Sequence, residues 1–96
     1  MTKYKYKVKY TSNYKKNVKK IIKQGKDIDK LLDVIDVLAR GSSLNKKYRN
    51  HQLFDDKKYK ECYECHIEPD WLLVYQYNHN ELILVLVNTG SHSNLF

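Results

Sequence analysis

Apolar residues recur with one period in the first half of this chain and another in the second, and that change limits what the chain can fold into. From Tyr14 to Leu38 the spacing is helical: Tyr14, Val18, Ile21 and Ile22 form one stripe, and Ile28, Leu31, Leu32, Ile35 and Leu38 form a second. Ser12 is placed to cap the first helix and Asp27 the second. Gly25 closes the first, and Gly41 follows Arg40 where a C-terminal glycine is expected. Two short helices so joined predict an antiparallel hairpin. Three β-rich runs occupy the second half, at Cys62–Ile67, Trp71–Tyr77 and Glu81–Asn88, the last two separated by Asn78-His79-Asn80. At the start, Lys3, Lys5, Lys7 and Lys9 alternate with Tyr4, Tyr6, Val8 and Tyr10, the period-2 pattern of a strand with one dry face. Residues 42–60 are polar and irregular, interrupted by Leu44, Tyr48 and the Leu53-Phe54 pair, and read as loop with room for one brief strand. The expected architecture is α+β in two layers: an N-terminal strand, a helix hairpin, then an antiparallel meander whose second face forms a shallow surface. Residues 1–96 read as one domain, with no internal repeat or linker.

Charge narrows the partners. Eighteen Lys and Arg against eleven Asp and Glu leave +7, which favours a polyanion such as nucleic acid, an anionic membrane or an acidic protein. No stretch approaches the roughly 18 apolar residues of a membrane span, and Met1 to Tyr10 has no apolar run of the kind a signal peptide needs. A cytoplasmic protein that does not engage the membrane is expected, with Cys62 and Cys65 kept as thiols.

Cys62-Tyr63-Glu64-Cys65-His66 matches the C-x-x-C-H pattern of covalent haem attachment. Context argues against that use: haem attachment calls for export and usually a second axial ligand, and the one methionine is Met1. On a strand, residues three apart point to opposite faces, so the two thiols do not readily grip one haem or one zinc. Cys65 reads as core. The same alternation puts Glu64 and His66 together on the face opposite Tyr63, Cys65 and Ile67.

Two blocks carry a family resemblance. His66-Ile67-Glu68-Pro69-Asp70-Trp71 and Gly90-Ser91-His92-Ser93-Asn94-Leu95-Phe96, together with Arg49-Asn50-His51-Gln52-Leu53, closely resemble the YafQ branch of the RelE/ParE superfamily of type II toxin–antitoxin toxins. The order of predicted elements agrees, so the resemblance spans the chain. It implies an mRNA interferase that cleaves message in the ribosomal A site through attack of a ribose 2′-hydroxyl on the adjacent phosphate. It also implies a cognate antitoxin of the RelB/DinJ kind, acidic where it binds, and a toxin–antitoxin heteromer. Such a reaction needs a base for the hydroxyl, an acid for the leaving 5′-oxygen and positive charge for the phosphorane; histidine, with a pKa of about 6.5, serves either proton role. By resemblance His51, His66 and His92 converge, with Asp70 orienting or assisting, His92 as the acid and either His51 or His66 as the base. Arg49 would contact the RNA backbone, and Trp71 or Phe96 would stack on a base. Read from its own neighbours, Trp71 suits a buried face, in line with Leu73 and Tyr75, better than a base platform, and Asp70 after Pro69 equally suits a turn. Neither a metal nor another cofactor is expected, since three histidines without a carboxylate cage suit acid–base chemistry.

The chain departs from the family at Asn50, where Asp is usual, in the glycine-free, lysine-rich loop Phe54 to Cys62, and at Tyr63, where Arg is common. Arg49, Lys57, Lys58 and Lys60 are the cations near enough in sequence to substitute. Two other readings fit the residues: a basic RNA-binding module without catalysis, and a toxin-like chain that has lost cleavage.

Overall fold

Lysine supplies much of the first helix's wet face, yet the helix forms because its apolar stripe has a sheet to lie on. The computed structural model describes residues 4–96, and its elements run β1 (Lys7–Tyr10), α1 (Ser12–Lys23), α2 (Ile28–Ala39), β2 (His51–Gln52), β3 (Tyr63–Glu68), β4 (Trp71–Asn78), β5 (Ile83–Gly90) and α3 (His92–Leu95). A single 3-10 turn, Lys46–Tyr48, interrupts the loop before β2. Tyr14 and Ile21 of α1 and Leu31, Val34, Leu38 and Ala39 of α2 bury against Cys65, Ile67, Trp71, Leu73, Tyr75, Leu84 and Leu86 on one face of the sheet. The N-cap of α1 is Thr11, whose hydroxyl accepts from the Tyr14 amide, one residue earlier than the expected Ser12; the N-cap of α2 is Asp27, as expected.

The five strands lie in the order β1-β5-β4-β3-β2. β3, β4 and β5 form the anticipated antiparallel meander, while β1 joins parallel to β5, Lys7 opposite Ile83 and Tyr10 opposite Leu86. β1 is shorter than the alternation predicts. Lys3 lies outside the described residues, and the amides of Lys5 and Tyr6 both donate to the Ala39 carbonyl at the end of α2 instead of joining the ladder. That close approach explains Gly41: its φ is 77°, and a Cβ there would come within 3.1 Å of the Lys5 side chain.

The opposite face of the sheet is less open than expected. Leu72 and Val74 are covered by Tyr59 and Cys62 from the lysine-rich loop and by Leu95 of α3, a second small core. The brief strand expected in that region is His51–Gln52, and Phe54 is exposed. Among the described residues no helix is long and apolar enough to cross a membrane.

Candidate functional site

β2 is only two residues long, but its pairing builds the site. His51 lies opposite Glu64 on β3, and His66 follows two residues along β3 on the same face. Glu64 is 6% exposed, and its Oε1 stands 3.2 Å from His66 Nε2 and 3.8 Å from His51 Nε2. The other ring nitrogens are also engaged: His51 Nδ1 lies 2.8 Å from the Arg49 carbonyl and His66 Nδ1 3.2 Å from the Pro69 carbonyl. A carbonyl only accepts, so each Nδ1 must carry the donated hydrogen. In a neutral ring this leaves a lone pair on Nε2, facing a carboxylate that also only accepts. Two imidazoles facing one buried carboxylate, with each Nδ1 held by a carbonyl, are groups suited to moving protons, which is the chemical capacity of this arrangement.

Asp70, in the turn between β3 and β4, accepts from the backbone amide of His92 at 3.1 Å. It therefore docks α3 beside the β3–β4 turn, a positioning contact made through the main chain. Ser91 caps α3 by accepting from the Asn94 amide. Leu95 is fully buried, and its carbonyl receives both Lys58 Nζ (3.0 Å) and the Tyr59 hydroxyl (3.1 Å). The exposed His92 ring stacks on Phe96, centroids 5.0 Å apart, and Phe96 remains 44% exposed.

Trp71 is not an available stacking platform. It is 0% exposed, in line with Leu73 and Tyr75 beneath the helices, and its Nε1 donates to the buried Thr89 hydroxyl at 3.0 Å. Of the two aromatic candidates, Phe96 alone offers a free surface. Glu64, by contrast, becomes central: its alternation with His66 was visible in sequence, but the cross-strand pairing that brings His51 to it was not. Of the cations that could serve a phosphate, Lys58 is committed to the Leu95 carbonyl, and Lys57 and Lys60 line a shallow hollow with Asp55, Asp56 and Glu61. Arg49 borders the cleft that contains His66. Tyr63 is half-buried and stacked on Tyr75, 5.6 Å between centroids.

Both cysteines are free and buried. Burial, with Glu64 adjacent, pushes the Cys65 thiol up to about 12, and burial also raises that of Cys62. Neither is a ready thiolate ligand. No cluster of three or more His, Cys, Asp or Glu side chains arranged to hold a metal ion occurs among the described residues.

The family profile of the bacterial toxin of type II toxin–antitoxin systems, YafQ, matches residues 6–96. The mRNA interferase toxin YafQ of Escherichia coli K12 is 32% identical over 75 residues, 77% of each chain. Among solved structures, a metal-bound toxin from Helicobacter pylori superimposes with a TM-score of 0.88 at 38% identity, covering 95% of this chain and 99% of that one. YafQ in the E. coli DinJ–YafQ toxin–antitoxin complex does so with a TM-score of 0.85 at 31% identity, covering 96% and 98%.

Proposed function

Because the chain belongs to the YafQ family of bacterial type II toxin–antitoxin toxins, we propose that it is an endoribonuclease acting on messenger RNA in the ribosomal A site, by histidine acid–base chemistry without a metal. The observation that carries this reading is the buried Glu64 carboxylate between two imidazoles whose Nδ1 atoms are already fixed by carbonyl oxygens. His51 or His66 takes the proton of the ribose 2′-hydroxyl, and the freed oxygen attacks phosphorus. The bond from phosphorus to the 5′-oxygen breaks, and His92 returns a proton to that oxygen. Glu64 acts as a positioning residue, holding both rings and balancing positive charge on the one that gains a proton. Asp70 positions His92 through its amide. Arg49 contacts the backbone phosphates, and Phe96, beside His92, is the surface on which a base stacks.

The ribosome supplies what a domain this small lacks, a strand held in attack geometry, so translated message should be cut far faster than free RNA. The partner is a cognate antitoxin with an acidic toxin-binding segment, in keeping with the +7 charge and with the DinJ complex of the E. coli relative.

The test is induction in a bacterium, reading growth and mapping cuts on translated message, with His92→Ala alongside. The variant should fold, because its side chain is exposed, and should turn over about 10²- to 10⁴-fold more slowly, the scale of one positioned acid–base group. A substrate with sulfur at the scissile 5′ position, a better leaving group, should partly rescue it. Near-wild-type cleavage by His92→Ala removes His92 from the mechanism. Cleavage abolished by EDTA with ribosomes intact, and restored by a transition metal, overturns the metal-free chemistry. The packing of Tyr63 against Tyr75 and Tyr77, where the family commonly has Arg, favours one other outcome: a chain that binds antitoxin but neither arrests growth nor cuts message.

A further inference from the structure

Carboxylates line four clefts among the described residues: Glu68 and Asp70 in one, Asp33 and Glu68 in the next, Asp55, Asp56 and Glu61 in the third, and Asp36 in the fourth. Another, about 500 Å³, has no acidic side chain in its wall. Tyr6, Tyr63, Tyr77, His79, Asn50 and Arg49 are among its lining residues; Tyr6 is buried, so the cleft combines the rings of Tyr63, Tyr77 and His79 with an amide and a cation.

The rings form a continuous set. Tyr6 packs on Tyr77 at 4.6 Å, Tyr77 stacks on His79 at 5.4 Å, and Tyr63 meets Tyr77 edge-on at 6.2 Å. Tyr63 has one face on Tyr75 and, half-buried, turns part of its surface to the cleft. Asn50 Oδ1 accepts the Tyr75 hydroxyl, which fixes the amide and leaves its NH₂ as a donor. Arg49 stands on a ridge. The 3-10 turn ends there in the left-handed region, φ 51° and ψ 42°, and the reversal aims its carbonyl at His51 while its side chain borders both this cleft and the one, about 610 Å³, that contains His66. Among the described residues the guanidinium has no ion-pair or hydrogen-bond partner, and Lys46 adds a second cation to the wall.

We infer that this cleft is a subsite for one unpaired nucleotide next to the cleaved bond: the RNA strand crosses the ridge from the histidine side, Arg49 holds the intervening phosphate, and the base lies against the tyrosine and histidine rings. The inference rests on the reading of the histidine site as an RNA-cleaving one. Aromatic faces accept any base, so the subsite contributes affinity and register more than sequence choice. A guanidinium fits the phosphate better than an ammonium because its planar fork can donate two parallel hydrogen bonds. With no carboxylate in the wall, neither phosphate nor base meets a repelling charge.

The probe is a fluorescein-labelled RNA pentanucleotide made uncleavable by a 2′-deoxy sugar at the attacking position, and a set in which each flanking nucleotide in turn is abasic. Binding to the full chain is followed by anisotropy across a salt series. One flanking abasic site should weaken binding about tenfold, in the range of a single stacked base. That penalty should shrink in His79→Ala and in Tyr63→Leu; His79 is exposed, so its variant guards against a Tyr63→Leu chain that fails to fold. Arg49→Ala should weaken every probe and reduce the slope of log affinity against log salt by about one phosphate contact, while Arg49→Lys keeps the slope. Equal binding by all abasic probes, or an unchanged slope in Arg49→Ala, overturns the subsite. The reading it rests on fails differently: a wild-type chain that never cuts translated message refutes the nuclease, whatever the abasic series shows.

Discussion

Thr89→Val tests how the fold holds the site, since the two residues have nearly the same shape and differ by a hydroxyl. Thr89 is fully buried, and its Oγ1 accepts Trp71 Nε1 at 3.0 Å and donates to the Leu72 carbonyl at 2.7 Å. Valine leaves the indole N–H in the core without a partner, at a cost of about 1–3 kcal/mol. Losing the bond to the Leu72 carbonyl adds about 0.5–1.5 kcal/mol. The extra buried methyl returns about 0.8 kcal/mol. The net loss is roughly 1–4 kcal/mol, and a central value of about 2 kcal/mol lowers Tm by about 8–16 °C in a domain of this size. Urea unfolding followed by tryptophan fluorescence measures it, as a fall in midpoint at unchanged slope. Thr89→Ser keeps the hydroxyl and should lose only the methyl, about 1 kcal/mol. If Thr89→Val is as stable as wild type, or Thr89→Ser is the worse of the two, the hydrogen bonds contribute nothing and the argument from the orphaned indole fails.

Glu64→Gln keeps the shape but not the charge that faces the two imidazoles, and should lower kcat about 10- to 100-fold with KM little changed; unaltered single-turnover cleavage on programmed ribosomes contradicts its positioning role. Native protein should not react with a thiol reagent such as DTNB at pH 8, because burial holds both thiols above their ordinary range, and should release two equivalents on unfolding; fast labelling of the native chain argues against the buried placement. The hydrogen bond from Lys30, with the charges of Lys30 and Lys26, holds the Glu68 carboxyl below the usual range. The stability it contributes is therefore present above the ordinary carboxylate pKa and lost as pH falls through the lowered one, so wild type and Glu68→Gln should converge in urea midpoint on the acid side; a constant difference down to pH 2 rejects this linkage.

Elements set by near neighbours were legible in the sequence. Asp27 caps α2, Gly41 follows it, and the alternation along β3 separates Glu64 and His66 from Cys65 and Ile67, because each of these depends on residues within a few positions of one another. What escaped depends on pairing across the chain. The parallel docking of β1 on β5 joins residues 76 apart, and nothing local distinguishes that strand from the first member of a hairpin. Tyr59 and Leu95 lie 36 residues apart, one inside a lysine-rich loop and the other in a polar tail, so neither has an apolar neighbourhood to mark it as core; each becomes buried only because the other arrives. Trp71 shows the limit from the other side. Alternation placed it in line with Leu73 and Tyr75, but whether that face meets helices or solvent was decided by the helices and by Thr89, 18 residues on. The site follows the same rule: His66 and Glu64 are adjacent by periodicity, whereas His51 reaches them through β2, and the Asp70 carboxylate holds the His92 main chain beside the β3–β4 turn. A lesion in either long-range contact should therefore impair catalysis while leaving the helices and the meander in place.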